Sequence, residues 1–163
     1  MAEKSTIFQA VQLGIEAQAT PGTPVAANRK MLACSFVPGV RTESDVFRAS
    51  GNKYASFSVL NKEWSEVKID GRISYNEILY PLVSLLHMPT PVQQGGTSAH
   101  VWTFNPSPSA EDSSRALTIE QGDATTAWRV AGARVSGLEL MFSRSEVNMT
   151  GTAVGEAIET GII

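Results

Sequence analysis

Cysteine is almost missing from this chain. Cys34 is the only one in 163 residues, so no internal disulfide forms. Its apolar neighbours mark it as a buried thiol. Histidine is nearly as scarce. His87 and His100 lie far apart and outside any metal-ligand spacing, so a zinc site is not expected. There is no basic tract. With 13 basic and 16 acidic residues the net charge is −3, which gives no reason to expect tight binding to nucleic acid or an acidic membrane. No apolar run approaches the roughly 18 residues of a spanning helix. No basic segment followed by an apolar core opens the chain, so no Sec-type signal peptide is expected. The Asn148-Met149-Thr150 sequon therefore has no expected consequence. There is no Gly-x-Ser-x-Gly elbow, no P-loop and no dinucleotide fingerprint. Acid pairs such as Glu63 with Glu66 read as solvated charges. These absences exclude the common catalytic, metal and cofactor classes. The expectation is a non-enzyme with no catalytic, metal or cofactor residues, working by shape and assembly.

The most informative stretch runs from Trp64 to His87. Val67 and Ile69 fall on one face of an extended segment, and Glu66, Lys68 and Asp70 on the other. That period of two predicts a half-buried strand. Ser74-Tyr75-Asn76-Glu77 has capping-box spacing, and Tyr75, Ile78, Leu79, Leu82, Val83, Leu85 and Leu86 recur at helical spacing. The prediction is one helix near 74–88, capped by Ser74, bent or tightened at Pro81 and stopped by Pro89 and Pro91. Its wide apolar stripe needs a sheet to lie on.

The remaining segments read as strands and loops. Ile7 to Ala17 is either an edge strand or an arm reaching another subunit. Met31 to Val37 is a strand ended by Pro38-Gly39. Arg41 to Ala55 reads as a long charged loop, with Val46 and Phe47 as its apolar pair. Phe57–Leu60 and Trp64–Asp70 are strands, or one strand interrupted at Asn61-Lys62. Thr90–Ala99 is a loop with a Gln93–Ser98 tip, and Val101–Phe104 a short strand before a second loop at Asn105–Ser109. A meander follows: Ala116–Glu120, a turn at Gln121–Asp123, a strand carrying Thr126, Trp128 and Val130, a turn at Gly132, then Val135–Phe142 and Glu146–Ala153. The predicted class is mainly β (α+β): packed antiparallel sheets forming a sandwich or barrel with one flanking helix. Residues 1–28 form an extended N-terminal arm, 29–154 the sandwich domain, and 155–163 a C-terminal arm or the start of a continuation. Ile162-Ile163 either docks on a neighbour or leads into further chain.

In order along the chain stand Gly14-Ile15-Glu16 with Thr20-Pro21-Gly22-Thr23-Pro24-Val25, then Ile69-Asp70-Gly71-Arg72-Ile73-Ser74, then His100-Val101-Trp102-Thr103-Phe104. Leu117-Thr118-Ile119-Glu120-Gln121-Gly122-Asp123 and Gly132-Ala133-Arg134-Val135-Ser136-Gly137-Leu138-Glu139-Leu140 complete the series. In that order and spacing the sequence resembles the tail tube (major tail) proteins of long-tailed bacteriophages. The resemblance implies two packed antiparallel sheets with a flanking helix, a fold shared with the tube protein of type VI secretion. It implies homo-oligomeric rings, usually hexameric, stacked into a tube around the tape measure protein. Further implied partners are tail terminator and tail tip proteins. DNA would pass through without specific binding, and no membrane is involved. The location implied is the virion tail, assembled in the bacterial host cytoplasm. Relatives of this type are often longer, with further domains after the tube domain.

The resemblance gives two sets of residues a role. Arg41, Glu43, Asp45, Phe47, Arg48 and Lys53 are the expected inter-ring or inter-subunit loop. Glu66, Asp70 and Glu120 are the expected lumen-facing acids, because a tube that passes DNA must not hold it. Lys68 sits between two of these acids and is neutralised by them. Two alternatives stand beside this reading. One is a tube subunit of a contractile or type VI secretion-like system. The other is a β-sandwich virion decoration or adhesion module.

Overall fold

The computed structural model describes residues 9–106, 113–123 and 125–161. Its strands are β1 (Gln12–Ile15), β2 (Arg29–Lys30), β3 (Cys34–Phe47), β4 (Phe57–Arg72), β5 (Val92–Gln93), β6 (His100–Val101), β7 (Leu117–Gly122), β8 (Ala127–Phe142), β9 (Val147–Gly155) and β10 (Glu159–Thr160). The single helix among the described residues, α1, spans Leu79–Leu85. All described pairing is antiparallel, in the order β2-β1-β7-β8-β9-β4-β3, with β10 also on β8 and β5–β6 a separate hairpin. The predicted mainly-β class with one helix is what the chain forms.

One strand makes two sheets out of this path. The first half of β8 pairs with β7 and β10, and its second half pairs with β9. Sheet I is β2, β1, β7, β10 and the start of β8. Sheet II is the end of β8, then β9, β4 and β3. Between the halves, Gly132 takes φ 63° and the β9 pairing shifts register between Val135 and Gly137. A glycine at positive φ and a bulge turn a strand without ending it. Gly132 is therefore a bend inside β8, where the sequence pattern predicted a turn.

The period-two residues close the core between the sheets. Leu13, Ile119 and Val130 come from sheet I, and Phe36, Val67, Ile69, Met149 and Ala153 from sheet II. Phe36, Leu13, Ile69, Leu117 and Ile119 are fully buried. Each such side chain contributes about 1.5–3 kcal/mol relative to exposure. Of the two readings of the N-terminal segment, pairing within its own domain holds for Gln12–Ile15, as an interior strand and not an edge: Leu13 is in the core, and β1 is paired on both sides by its own chain. Ile7, the Asn105–Ser109 loop from Ser107 on, and Ile162-Ile163 lie outside the described residues.

The helix is shorter than its sequence pattern. Residues 75–78 form turns, and Ile78 takes the N-cap position with no side-chain cap. Ser74 contributes its backbone carbonyl, which accepts from the amides of Glu77 and Ile78 at 3.1 Å each. The expected Ser74 side-chain cap is not made: the Glu77 amide is taken by the Ser74 carbonyl, and the Glu77 carboxylate, the other half of a capping box, is drawn elsewhere. It accepts from the amides of Leu32 (2.9 Å) and Ala33 (3.0 Å). Pro81 falls in the first turn of α1, where its missing N–H has no helical partner to lose, so it does not bend the helix. Val83 is buried, and Ser84 Oγ accepts from the Val135 amide at 3.0 Å, which satisfies a donor freed by the β8 bulge.

Candidate assembly surface

The two sheets differ in what covers their outer faces. Sheet I is covered. Glu16, 1% exposed, accepts from the Gly22 amide (2.7 Å), Thr118 Oγ1 (2.8 Å) and the Gly132 amide (2.9 Å). These bonds draw the turn-rich segment after β1 across the sheet. Val25 donates its amide to Thr118 Oγ1, and its side chain lies over Gly14, where a Cβ would come within 2.8 Å of it. Gly14 must therefore be small.

Among the described residues nothing covers the outer face of sheet II. Its rows follow from the register: Ser35, Asp70, Thr150 and Glu139; then Val37, Lys68 and Thr152; then Gly39, Glu66, Val154 and Arg134. Ser136 Oγ lies 3.0 Å from Thr152 Oγ1. The face is polar, rich in hydroxyls and small residues, and carries both signs of charge. The Arg41 Nε bond to Glu66 Oε2 is 2.7 Å. That bond, and the guanidinium charge behind it, hold the Glu66 carboxyl below its usual range.

Among the described residues the edges of sheet II are open. At one edge lies β3, 14 residues long, and at the other the end of β8. Pro38 sits inside β3, opposite Val67. The sequence pattern predicted that Pro38-Gly39 would end this strand. It does not, because an edge strand has one side with no ladder bond for a proline to break.

The expected loop from Arg41 to Ala55 begins as strand, which runs through Phe47. Arg41, Glu43, Asp45 and Phe47 continue β3, paired with Trp64, Lys62, Val59 and Phe57. Only Arg48 to Ser56, including Arg48 and Lys53, forms the tip. Charged residues dominate here because the hairpin leaves the body and both its faces meet solvent, so no apolar alternation marks it as strand. Its end is nonetheless apolar: Phe47 and Phe57 stack at 5.2 Å, and Val46 and Leu60 are 64% and 57% exposed. Phe47 packs within its own hairpin. The suggested interruption of β4 at Asn61-Lys62 is a register shift opposite Glu43/Ser44 in an unbroken strand. The predicted Val101–Phe104 strand is reduced to His100–Val101, and the Phe104 ring lies 5.8 Å from His87 instead.

The three expected lumen acids are not brought together. Glu66 and Asp70 share the bare face of sheet II. Glu120 lies in sheet I, opposite Arg129, whose Nη1 is 3.8 Å from its carboxylate and which also binds Glu159. Sequence reading missed Glu139, which stands in the Asp70 row. Its signal was present, since it alternates with Leu138 and Leu140, but those two apolar residues drew the attention.

No protein-family model and no curated protein sequence matches the chain. Among the solved structures that share its fold are two parts of assembled particles. The anti-feeding prophage cap (AFP tube terminating cap) is 10% identical, with a TM-score of 0.52 covering 100% of this chain and 95% of that one. A chain of the sheath–tube complex of the PVC extracellular contractile injection system, in its extended state, is 8% identical, with a TM-score of 0.51 covering 99% and 94%. At these identities the likeness is one of fold, and it spans essentially the whole of each chain.

Proposed function

We propose that this chain is a structural, non-enzymatic subunit of a tail tube. Copies join side by side into rings, usually hexameric in this type of tube, and the rings stack. The supporting observation is the construction of sheet II. It has four strands of alternating direction, so its two open edges run antiparallel to each other. A second copy placed against β3 with its own β8 continues the antiparallel pattern. Head-to-tail repetition then closes into a ring and leaves no exposed edge. The bare polar face of sheet II lines the lumen, and covered sheet I faces outward. In this reading Glu66 and Asp70 are lumen residues and Glu120 is not. The β3–β4 hairpin, carrying Arg41, Glu43, Asp45, Phe47, Arg48 and Lys53, projects from the body to the next ring.

A phage tail in this reading surrounds a tape measure protein, meets terminator and tip proteins, and passes DNA without binding it. The second reading keeps the tube and changes the particle to a contractile injection system. The origin of the two structural neighbours, an anti-feeding prophage tube cap and a contractile injection system, favours it. Sedimentation of the purified protein, followed by negative-stain microscopy, tests the common core of both. Rings or stacked tubes with a central hole are expected. A 17.5 kDa monomer at all concentrations overturns the proposal and favours a decoration or adhesion module.

A further inference from the structure

The ring reading leaves open how β3 of one copy registers against β8 of the next, and the two edges contain enough to decide it. The Arg72 amide donates to the Ala33 carbonyl, and Ala33 is two residues from Ser35 and four from Val37. Odd-numbered residues of β3 therefore bond to β4, and Phe36, Val40 and Thr42 point their amides outward. Pro38 belongs to the same outward set and has no amide to offer. On β8 the Ser143 amide donates to the Glu146 carbonyl, so Glu139 and Met141 bond to β9. Leu138, Leu140 and Phe142 point their amides to the open edge. Only even shifts keep the core-facing sides of both copies together.

Resting on that ring reading, we propose that β3 of one copy pairs with β8 of the next in the register that sets Arg41 opposite Glu139. Thr42 then pairs with Leu138 and Val40 with Leu140, which covers Val40, 55% exposed in the single chain. Pro38 falls opposite Phe142, the last residue of β8, where a missing donor costs the seam least. Glu139 is exposed, and Arg41, already on Glu66, keeps further N–H donors for it. The neighbouring registers are worse. A shift of two toward the strand start puts Pro38 opposite Leu140, inside the seam, and Glu139 opposite Gly39. A shift of two toward the tip sets Glu139 against Glu43, like charges directly opposite. The chosen register is also offset by six residues from the straight row of Ser35, Asp70, Thr150 and Glu139. Over four strands that offset tilts the wall by roughly 45°, close to the range of closed barrels.

Cross-linking tests it. Arg41 and Glu139 form a non-hydrogen-bonded pair across the seam, with Cα atoms about 4.5 Å apart, within disulfide reach. The double variant Arg41→Cys with Glu139→Cys, oxidised under assembly conditions, is expected to give a ladder of multimers on a non-reducing gel. Gly39→Cys with Glu139→Cys is expected to give none, and buried Cys34 is silent in both. Independently, Arg41→Glu is expected to lower the assembled fraction at least tenfold, and adding Glu139→Arg to restore it. A ladder from the Gly39 pair alone, or from neither pair while the parent protein forms rings, overturns the register and leaves the ring standing. Absence of rings in the parent protein overturns the ring reading itself.

Discussion

At the residue scale, two buried carboxylates, Glu16 and Glu77, hold chain segments in place. Glu77 accepts from the amides of Leu32 and Ala33 and lies 3.4 Å from Cys34 Sγ. Burial first, then the Glu77 hydrogen bond and charge, push the Cys34 thiol up to about 12, so it stays protonated and unreactive at neutral pH. Glu77→Ala leaves two part-buried donors without their acceptor. It is expected to cost about 2–4 kcal/mol in urea unfolding, whereas Ser74→Ala stays within about 0.5 kcal/mol. Equal costs would restore the side-chain cap. The sequence showed Ser74 and Glu77 at the right spacing. It did not show that a segment 45 residues away competes for the carboxylate. A local motif carries no information about a rival partner supplied by tertiary folding.

A pH dependence also belongs to this scale. The Thr126 and Thr125 amides, each 2.8 Å from Asp123 Oδ1, hold the Asp123 carboxyl below its usual value, and Arg41 does the same for Glu66. Both folded-state values are depressed. Their contribution is present above the ordinary carboxylate range of about 4 and is lost as pH falls through the lower folded values. Asp123→Ala is expected to lower the neutral plateau slightly, change the acid end least, and so flatten the acid limb of stability against pH. Thermal melts between pH 2 and 7 check this.

At the scale of elements, strands were legible wherever one face met the core. Val67 and Ile69, Leu117 and Ile119, and Met149 and Ala153 all showed their period of two and are all buried as it implied. Legibility ended where the hairpin left the body, since a strand solvated on both faces has no alternation to read. The bend at Gly132 was misread for a related reason. A glycine marks positive φ and does not say whether the chain reverses or only turns. The distal hairpin suggests a clean experiment. A variant that joins Glu43 to Lys62 through an Asn-Gly turn removes only exposed residues paired with one another. It is expected to fold with an unfolding midpoint close to the parent, and to form rings that do not stack. Long tubes from this variant would show that the hairpin is not the inter-ring contact.

At the scale of the whole molecule, the covered sheet and the bare sheet give the chain two unlike outer faces. The division was not visible in sequence, because Glu66 and Glu120 alternate with apolar residues in the same way. Only the topology puts them in different sheets. If sheet II lines a conduit for DNA, Glu66→Lys with Asp70→Lys converts repelling positions into phosphate contacts repeated around every ring. Assembly is expected to survive, with ejection slowed most at low salt, where screening is weakest. Normal ejection at low salt would remove these two acids from the lumen. The most direct measurement is a cryo-EM reconstruction of the assembled protein. It is predicted to show a continuous β-barrel wall in which β3 of each copy meets β8 of the next, with Asp70, Lys68 and Thr152 facing the axis. An assembly whose lumen is lined by sheet I, or whose copies meet without strand pairing, would contradict the account.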